Sequence, residues 1–168
     1  MARIITKIGD VFSAQIDAET KKYFQYISND LIQLNSDVIR VFKRKYLIEE
    51  EPKLSEVVQD EVDFYAHCVT NWGIKLGFWE KYGNYSDVGN IEHILFRDTN
   101  DYGAKLGDEP LKVSDKWYIW NINDKNFTRV GKLEEDNRKA EIGVVIAPDS
   151  IVYRMLHGEY DFVYPGFE

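Results

Sequence analysis

The amino-acid sequence predicts an α+β fold that is mainly β: a strongly bent antiparallel sheet or partly closed barrel with a few short helices. Three observations carry this. Short aromatic and β-branched runs recur along the chain, among them Asp10–Gln15, Lys22–Ile27, Asp37–Phe42, Phe64–Val69 and Lys116–Ile122. Polar or glycine-bearing turns separate them, which is the signature of many short strands. Helical spacing is confined to two stretches, near residues 54–60 and 148–157. With 168 residues, 44% of them hydrophobic, the chain reads as a single domain over 1–168, large enough to bury a core of its own.

In the first strand, Val11, Ser13 and Gln15 face one way while Phe12, Ala14 and Ile16 face the other, so Phe12 and Ile16 point inward from a half-buried strand. Asp17–Thr20 turns the chain and Lys22–Ser28 returns it, making a hairpin. Asn29–Asn35 fits either a short helix or an irregular crossing. Val38–Phe42 alternates again, and the charged stretch from Lys43 to Glu51 is a solvated connection. Ser55 resembles an N-cap with Glu56 in the first turn. Helix and strand compete between residues 54 and 72. Aromatic and β-branched enrichment favours strand for Phe64–Val69, and Ile74–Lys81 reads as a further strand.

Gly83–Asn90 is a turn region, His93–Arg97 a short strand and Asp98–Glu109 a long polar loop. Lys116–Ile122 is apolar on both faces, as a central strand would be, and Phe127–Val130 follows its turn. Ile142–Ile146 is a short apolar strand. Pro148 at a favoured first helical position and Gly158 bracket a C-terminal helix. The tail, Tyr160–Phe167, reads as an edge strand that tolerates Pro165.

Composition excludes several function classes. The formal net charge is −8, from 29 acidic and 21 basic residues. That field repels phosphate backbones and argues against a nucleic-acid partner. It suits a basic protein partner, or solubility alone. Cys68 is the only cysteine, so no internal disulfide can form, and a reducing cytoplasm fits best. The N-terminal residues carry no apolar signal core, and no run approaches the ~18 apolar residues of a membrane span. A cytoplasmic location and no membrane partner are therefore expected.

The motifs of nucleotide, phosphate and serine-hydrolase sites are missing. His67, His93 and His157 share no ligand spacing. His67 and Cys68 are neighbours on a strand and point to opposite faces, so they cannot form a dyad. Asp98, Asn100, Gly103 and Glu109 occupy calcium-loop positions, but Tyr102 stands where a fifth-position ligand belongs and no helix leads in. No metal or other cofactor is expected. What remains is an excess of aromatics. Trp72, Trp79, Trp117 and Trp120 cannot all be equally deep in a core of this size, and exposed Trp and Tyr mark interface hot spots. Core and corner packing is the competing account.

Several blocks carry a resemblance: Ile8–Phe12 with its Gly-Asp-Val-Phe opening, Asp63–His67, Gly73–Gly77, Ile94–Arg97, and Ile142–Ile146 followed by Pro148 and a helix. Together they resemble the immunity proteins of bacterial polymorphic-toxin systems, specifically the family numbered twenty-six. The resemblance covers most of the chain and implies a small, cytosolic, mostly β protein without catalytic residues. It also implies a role in binding and neutralising a protein toxin, and the acidic surface would steer a basic, nuclease-like one. Chemistry and expected exposure nominate Tyr65, Trp72, Asp98, Asp101 and Tyr102 as protein-binding residues. Two other functions are compatible with the residues. One is a β-barrel whose mouth, lined by Trp72, Trp79 and Trp120, takes a small apolar or sugar ligand. The other is a small hydrolase or nuclease using His67 with Asp63 or Asp98.

Overall fold

The structure, a computed structural model, describes residues 3–101 and 112–168. Among them, eleven strands and three α-helices build an α+β, mainly β architecture of two sheets. The strands are β1 (Asp10–Gln15), β2 (Thr20–Asp30), β3 (Ser36–Phe42), β4 (Tyr46–Leu47), β5 (Val62–Cys68), β6 (Glu80–Asn84), β7 (Leu95–Thr99), β8 (Trp117–Asn121), β9 (Thr128–Gly131), β10 (Glu141–Ile142) and β11 (Val145–Ile146). The helices are α1 (Leu54–Val58), α2 (Thr70–Lys75) and α3 (Pro148–His157), with a 3-10 turn at Glu135–Lys139.

The larger sheet runs β11-β5-β3-β2-β1-β6, with β4 also paired to β2, and the smaller runs β10-β7-β8-β9. All strand pairs are antiparallel except β11–β5 and β10–β7. Neither sheet closes, so the barrel alternative gives way to two open sheets.

Both faces of the larger sheet are covered, which explains why its strands read as aromatic on both sides. One face sends Phe12, Phe24, Ile39, Val41, Phe64 and Ala66 against Ile151 and Met155 of α3 and against Trp79. The opposite face divides. Val11, Tyr23 and Phe42 pack on Val57 and Val58 of α1, while Ile27 and Val38 pack on Phe96, Tyr118 and Trp120 of the smaller sheet. Val11 is consequently as buried as Phe12, and β1 is not the half-exposed strand that alternation suggests. Between the two halves of that face runs a polar seam. Arg40 Nε donates to Gln25 Oε1 at 2.9 Å, and Gln25 Nε2 donates to the Tyr85 carbonyl at 2.9 Å.

The β1–β2 hairpin, β3, β5, β8 and α3 follow the local sequence signals. Gly158 at φ 83° takes the left-handed turn that ends α3. Other elements differ. Residues 74–81 are not one strand: α2 occupies Thr70–Lys75, and the strand begins only at Glu80, extending into the predicted turn. The cause is a cap supplied from another strand. Asp37 of β3 accepts from the Thr70 backbone N–H at 3.0 Å and from its Oγ1 at 2.6 Å, satisfying a donor that the helix start leaves orphaned. At α1 the N-cap is Lys53 rather than Ser55, with no side-chain cap bond. Residues 142–146 form no single strand. Glu141–Ile142 joins β7 and Val145–Ile146 joins β5, so this ribbon crosses from the smaller sheet to the larger. Among the described residues the tail makes a single parallel bridge, Val113 to Gly166, instead of an edge strand.

Gly73 shows how tightly α2 is set. A Cβ there would run into the Trp79 ring, whose Nε1 donates to the Thr70 carbonyl at 2.8 Å. Glycine to alanine in a helix ordinarily stabilises by up to ~1 kcal/mol. Here overpacking reverses the sign, and Gly73→Ala is expected to destabilise by about 1–3 kcal/mol. Urea denaturation read by tryptophan fluorescence measures this, and a midpoint at or above wild type would contradict it.

Candidate functional site

The short helix α2 presents two different faces. Thr70 and Gly73 turn inward and are buried. Val69, Trp72 and Leu76 share the other face by their i, i+3, i+7 spacing. They are 38%, 46% and 51% exposed. The N-terminal arm continues this surface. Thr6 Oγ1 lies 2.6 Å from Thr70 Oγ1, and Ile5, 71% exposed, lines one shallow depression with Val69. Ile5, Val69, Trp72 and Leu76 thus form an apolar ridge on a protein whose surface is otherwise rich in charge. Contiguous apolar surface of this kind marks interaction sites.

The other nominated residues are elsewhere. Tyr65, in mid-β5, lies in a cleft of about 450 Å³ between the two sheets, with its Oη 3.5 Å from His93 Nε2. Burial pushes its phenol above the ordinary value. Asp98 is on β7 and is engaged within the protein: Tyr164 Oη donates to it at 2.9 Å and Tyr118 Oη at 3.3 Å. Asp101 follows the end of β7, its backbone N–H donating to Thr99 Oγ1 at 3.2 Å. Tyr102 lies outside the described residues. Trp72 is therefore separated from Tyr65 by the remainder of β5, and from Asp98 and Asp101 by the change of sheet.

His67 has an acidic partner that sequence reasoning missed. Asp63 accepts instead from Lys22 Nζ at 2.9 Å, and Asp98 bonds the two tyrosines. The partner is Asp30, at the end of β2. Its Oδ2 lies 2.9 Å from His67 Nε2 and accepts from Trp120 Nε1 at 2.8 Å, and its Oδ1 accepts from the Asn123 backbone N–H at 3.1 Å. Burial raises the Asp30 carboxyl, but these hydrogen bonds outweigh it and hold the group below its ordinary value. An Asp–His pair is how many hydrolases orient an imidazole. Here both side chains are fully enclosed, and the Phe96 ring lies 4.1 Å from the imidazole. Cys68 points to the opposite face, and burial pushes its thiol well up. The arrangement buckles the two sheets together, since Asp30 and His67 belong to one and Trp120 to the other. Nothing in the local sequence around Asn29-Asp30 signals this role, because Asn29–Asn35 reads as a short helix or an irregular crossing.

The tryptophans proposed for a barrel mouth do not meet. Trp79 is buried with α3 in one cluster and Trp120 in another, and Trp72 is out on α2. Among the described residues, no group of three or more His, Cys, Asp or Glu side chains is placed to hold a metal ion, and no helix is long and apolar enough to cross a membrane.

The site belongs to an α+β, mainly β protein of two packed sheets with an apolar ridge on a short helix. Comparisons with known proteins found no matching family model, and no match among curated proteins or solved structures.

Proposed function

We propose that this is a non-enzymatic immunity-type protein that binds and neutralises a cognate bacterial protein toxin in the cytoplasm. The observation that carries the reading is the ridge of Val69, Trp72 and Leu76, extended by Ile5. An exposed tryptophan flanked by aliphatic side chains has the composition of an interface anchor. The net charge of −8 supports a basic, nuclease-like toxin, because complementary fields speed encounter and suppress wrong partners. The resemblance of the Gly-Asp-Val-Phe opening and the later blocks to immunity-protein sequences points the same way.

Co-expression with a toxin-like gene encoded beside this one tests the function. Rescue of growth together with a co-purifying complex is the expected result, and failure to bind the product of any neighbouring gene would remove the reading. Within such a complex, Trp72→Ala is expected to weaken affinity by about 2 kcal/mol or more. The thermal midpoint of the free protein should hardly change, since the ring is half in solvent. Calorimetric titration of this variant beside alanine variants of Tyr65, Asp98, Asp101 and Tyr102 ranks the five positions. If Trp72→Ala binds as wild type does, the ridge is not the interface.

A further inference from the structure

On the smaller sheet, where the 3-10 turn, β10 and the end of α3 converge, lies a pocket of about 340 Å³. Its wall includes four cations, Arg97, Arg138, Lys139 and Arg154, against two carboxylates, Glu141 and Glu159. Glu168 and Asp136 pair with Arg138 and Lys139 beside it, so the four cations are matched in number by carboxylates.

The four cations are not equally satisfied. Arg154 is held by Glu141, through Nη1 to Oε2 at 2.8 Å and Nη2 to Oε1 at 3.3 Å. Arg138 and Lys139 pair at the surface with Glu168 and Asp136. Arg97 has no such partner: among the described residues no carboxylate comes within ion-pair distance of it. Its Nη1 donates to the Ala140 carbonyl, and its Nε is buried without a hydrogen-bond partner. Burial draws this guanidinium below its ordinary value. The cation is positioned by rings instead, its centre 5.5 Å from the Trp117 ring and 5.2 Å from the Phe167 ring. Phe167 also carries Arg138 on its face, at 5.8 Å. A partly buried, under-bonded guanidinium is costly unless a counter-anion completes it. The guanidinium fork suits the oxygens of phosphate.

From this geometry we infer that the pocket binds a phosphate dianion, free or as a small phosphomonoester, with Arg97 and Arg138 as its principal ligands. Arg97 is the cation there without a carboxylate partner among the described residues, and the Arg138–Glu168 pair is exposed, so little is lost when Arg138 exchanges Glu168 for another anion. The volume falls within the range of small-ligand pockets and exceeds what one phosphate fills, which leaves room for an ester group against the ring of Phe167.

Isothermal titration calorimetry on the full chain, at matched ionic strength, tests this with inorganic phosphate, phenyl phosphate and succinate. Saturable binding of a phosphate species is expected, roughly tenfold or more weaker in Arg97→Met, which keeps the aliphatic stem while removing the charge. Arg138→Met, at an exposed position, provides a second variant whose folding is not in question, and it should weaken binding in the same direction. Tighter binding of phenyl phosphate than of inorganic phosphate identifies an ester as the natural class, and the reverse order identifies the free ion. The inference is overturned if neither phosphate species binds saturably, if succinate binds as tightly as phosphate, or if Arg138→Met binds like wild type.

Discussion

Asp30→Ala is expected to cost about 3–5 kcal/mol of folding stability, because a buried carboxylate that accepts from three donors is removed and the donors are left without it. The substitution strips acceptors from His67 Nε2, Trp120 Nε1 and the Asn123 N–H at once, and the first two of these donors are buried. Asp30→Asn keeps one oxygen acceptor and should lose less. The same carboxylate sets a pH dependence. Its folded-state value lies below the ordinary 3.8, so its contribution is in full force above that ordinary value. The contribution is lost as pH falls through the lower, folded value. Guanidinium denaturation between pH about 6 and about 3 should show wild type losing stability toward acid, with Asp30→Asn following a flatter curve. Parallel curves for the two proteins would remove Asp30 as a source of acid sensitivity.

Glu141→Ala is expected to cost about 3 kcal/mol, at the lower end for a buried pair because both partners retain some exposure. The side chains of Arg154 and Glu141 are 18% and 17% exposed. Arg154 lies over the Phe64 ring at 4.0 Å and the Tyr160 ring at 4.8 Å. Burial disfavours its charge, but Glu141 and Tyr160 together more than offset this and raise the guanidinium above its ordinary value. Without Glu141 the cation remains among aromatic rings with no counter-charge. The double variant Glu141→Leu, Arg154→Met should recover much of the loss, since apolar residues of similar volume need no partner. Denaturant midpoints of Glu141→Leu, of Arg154→Met and of the double variant form the cycle that measures the coupling. Additive single effects would show that the pair contributes no coupling energy.

The parts of this fold legible in the sequence are those whose causes are local. The β1–β2 hairpin follows from two alternating runs around Asp17–Thr20, where Asp17 Oδ1 accepts from the backbone N–H groups of Glu19 and Thr20. Helix α3 carries its own start and stop in Pro148 and Gly158. Helix α2 was hidden because Asp37, which caps it, lies 33 residues before Thr70. The division of the predicted strand at 142–146 into β10 and β11 was hidden because two residues carry no periodicity, and the edges they meet define them. The same holds for the candidate sites. Trp72 could be nominated from composition, because four tryptophans exceed what one small core takes equally. The pairing of His67 with Asp30 spans 37 residues and left no pattern to read. Arg97, which reads as one cation at the end of a short strand, gains its character only from the rings of Trp117 and Phe167.

The ribbon from Glu141 to Ile146 has a bearing on the order in which the chain is made. Each sheet has an edge, at β7 and at β5, that among the described residues only this ribbon covers. Between the two pairings, the Gly143 N–H donates to the Arg97 carbonyl at 2.7 Å, and a Cβ on Gly143 would strike the Trp120 ring. During synthesis, strands β1 to β9 leave the ribosome before the ribbon does. Both edges are then open templates for intermolecular pairing until residue 146 has emerged. A nascent chain stalled before that point should be more prone to aggregate than the released protein, and on release the ribbon closes both edges in one passage of six residues.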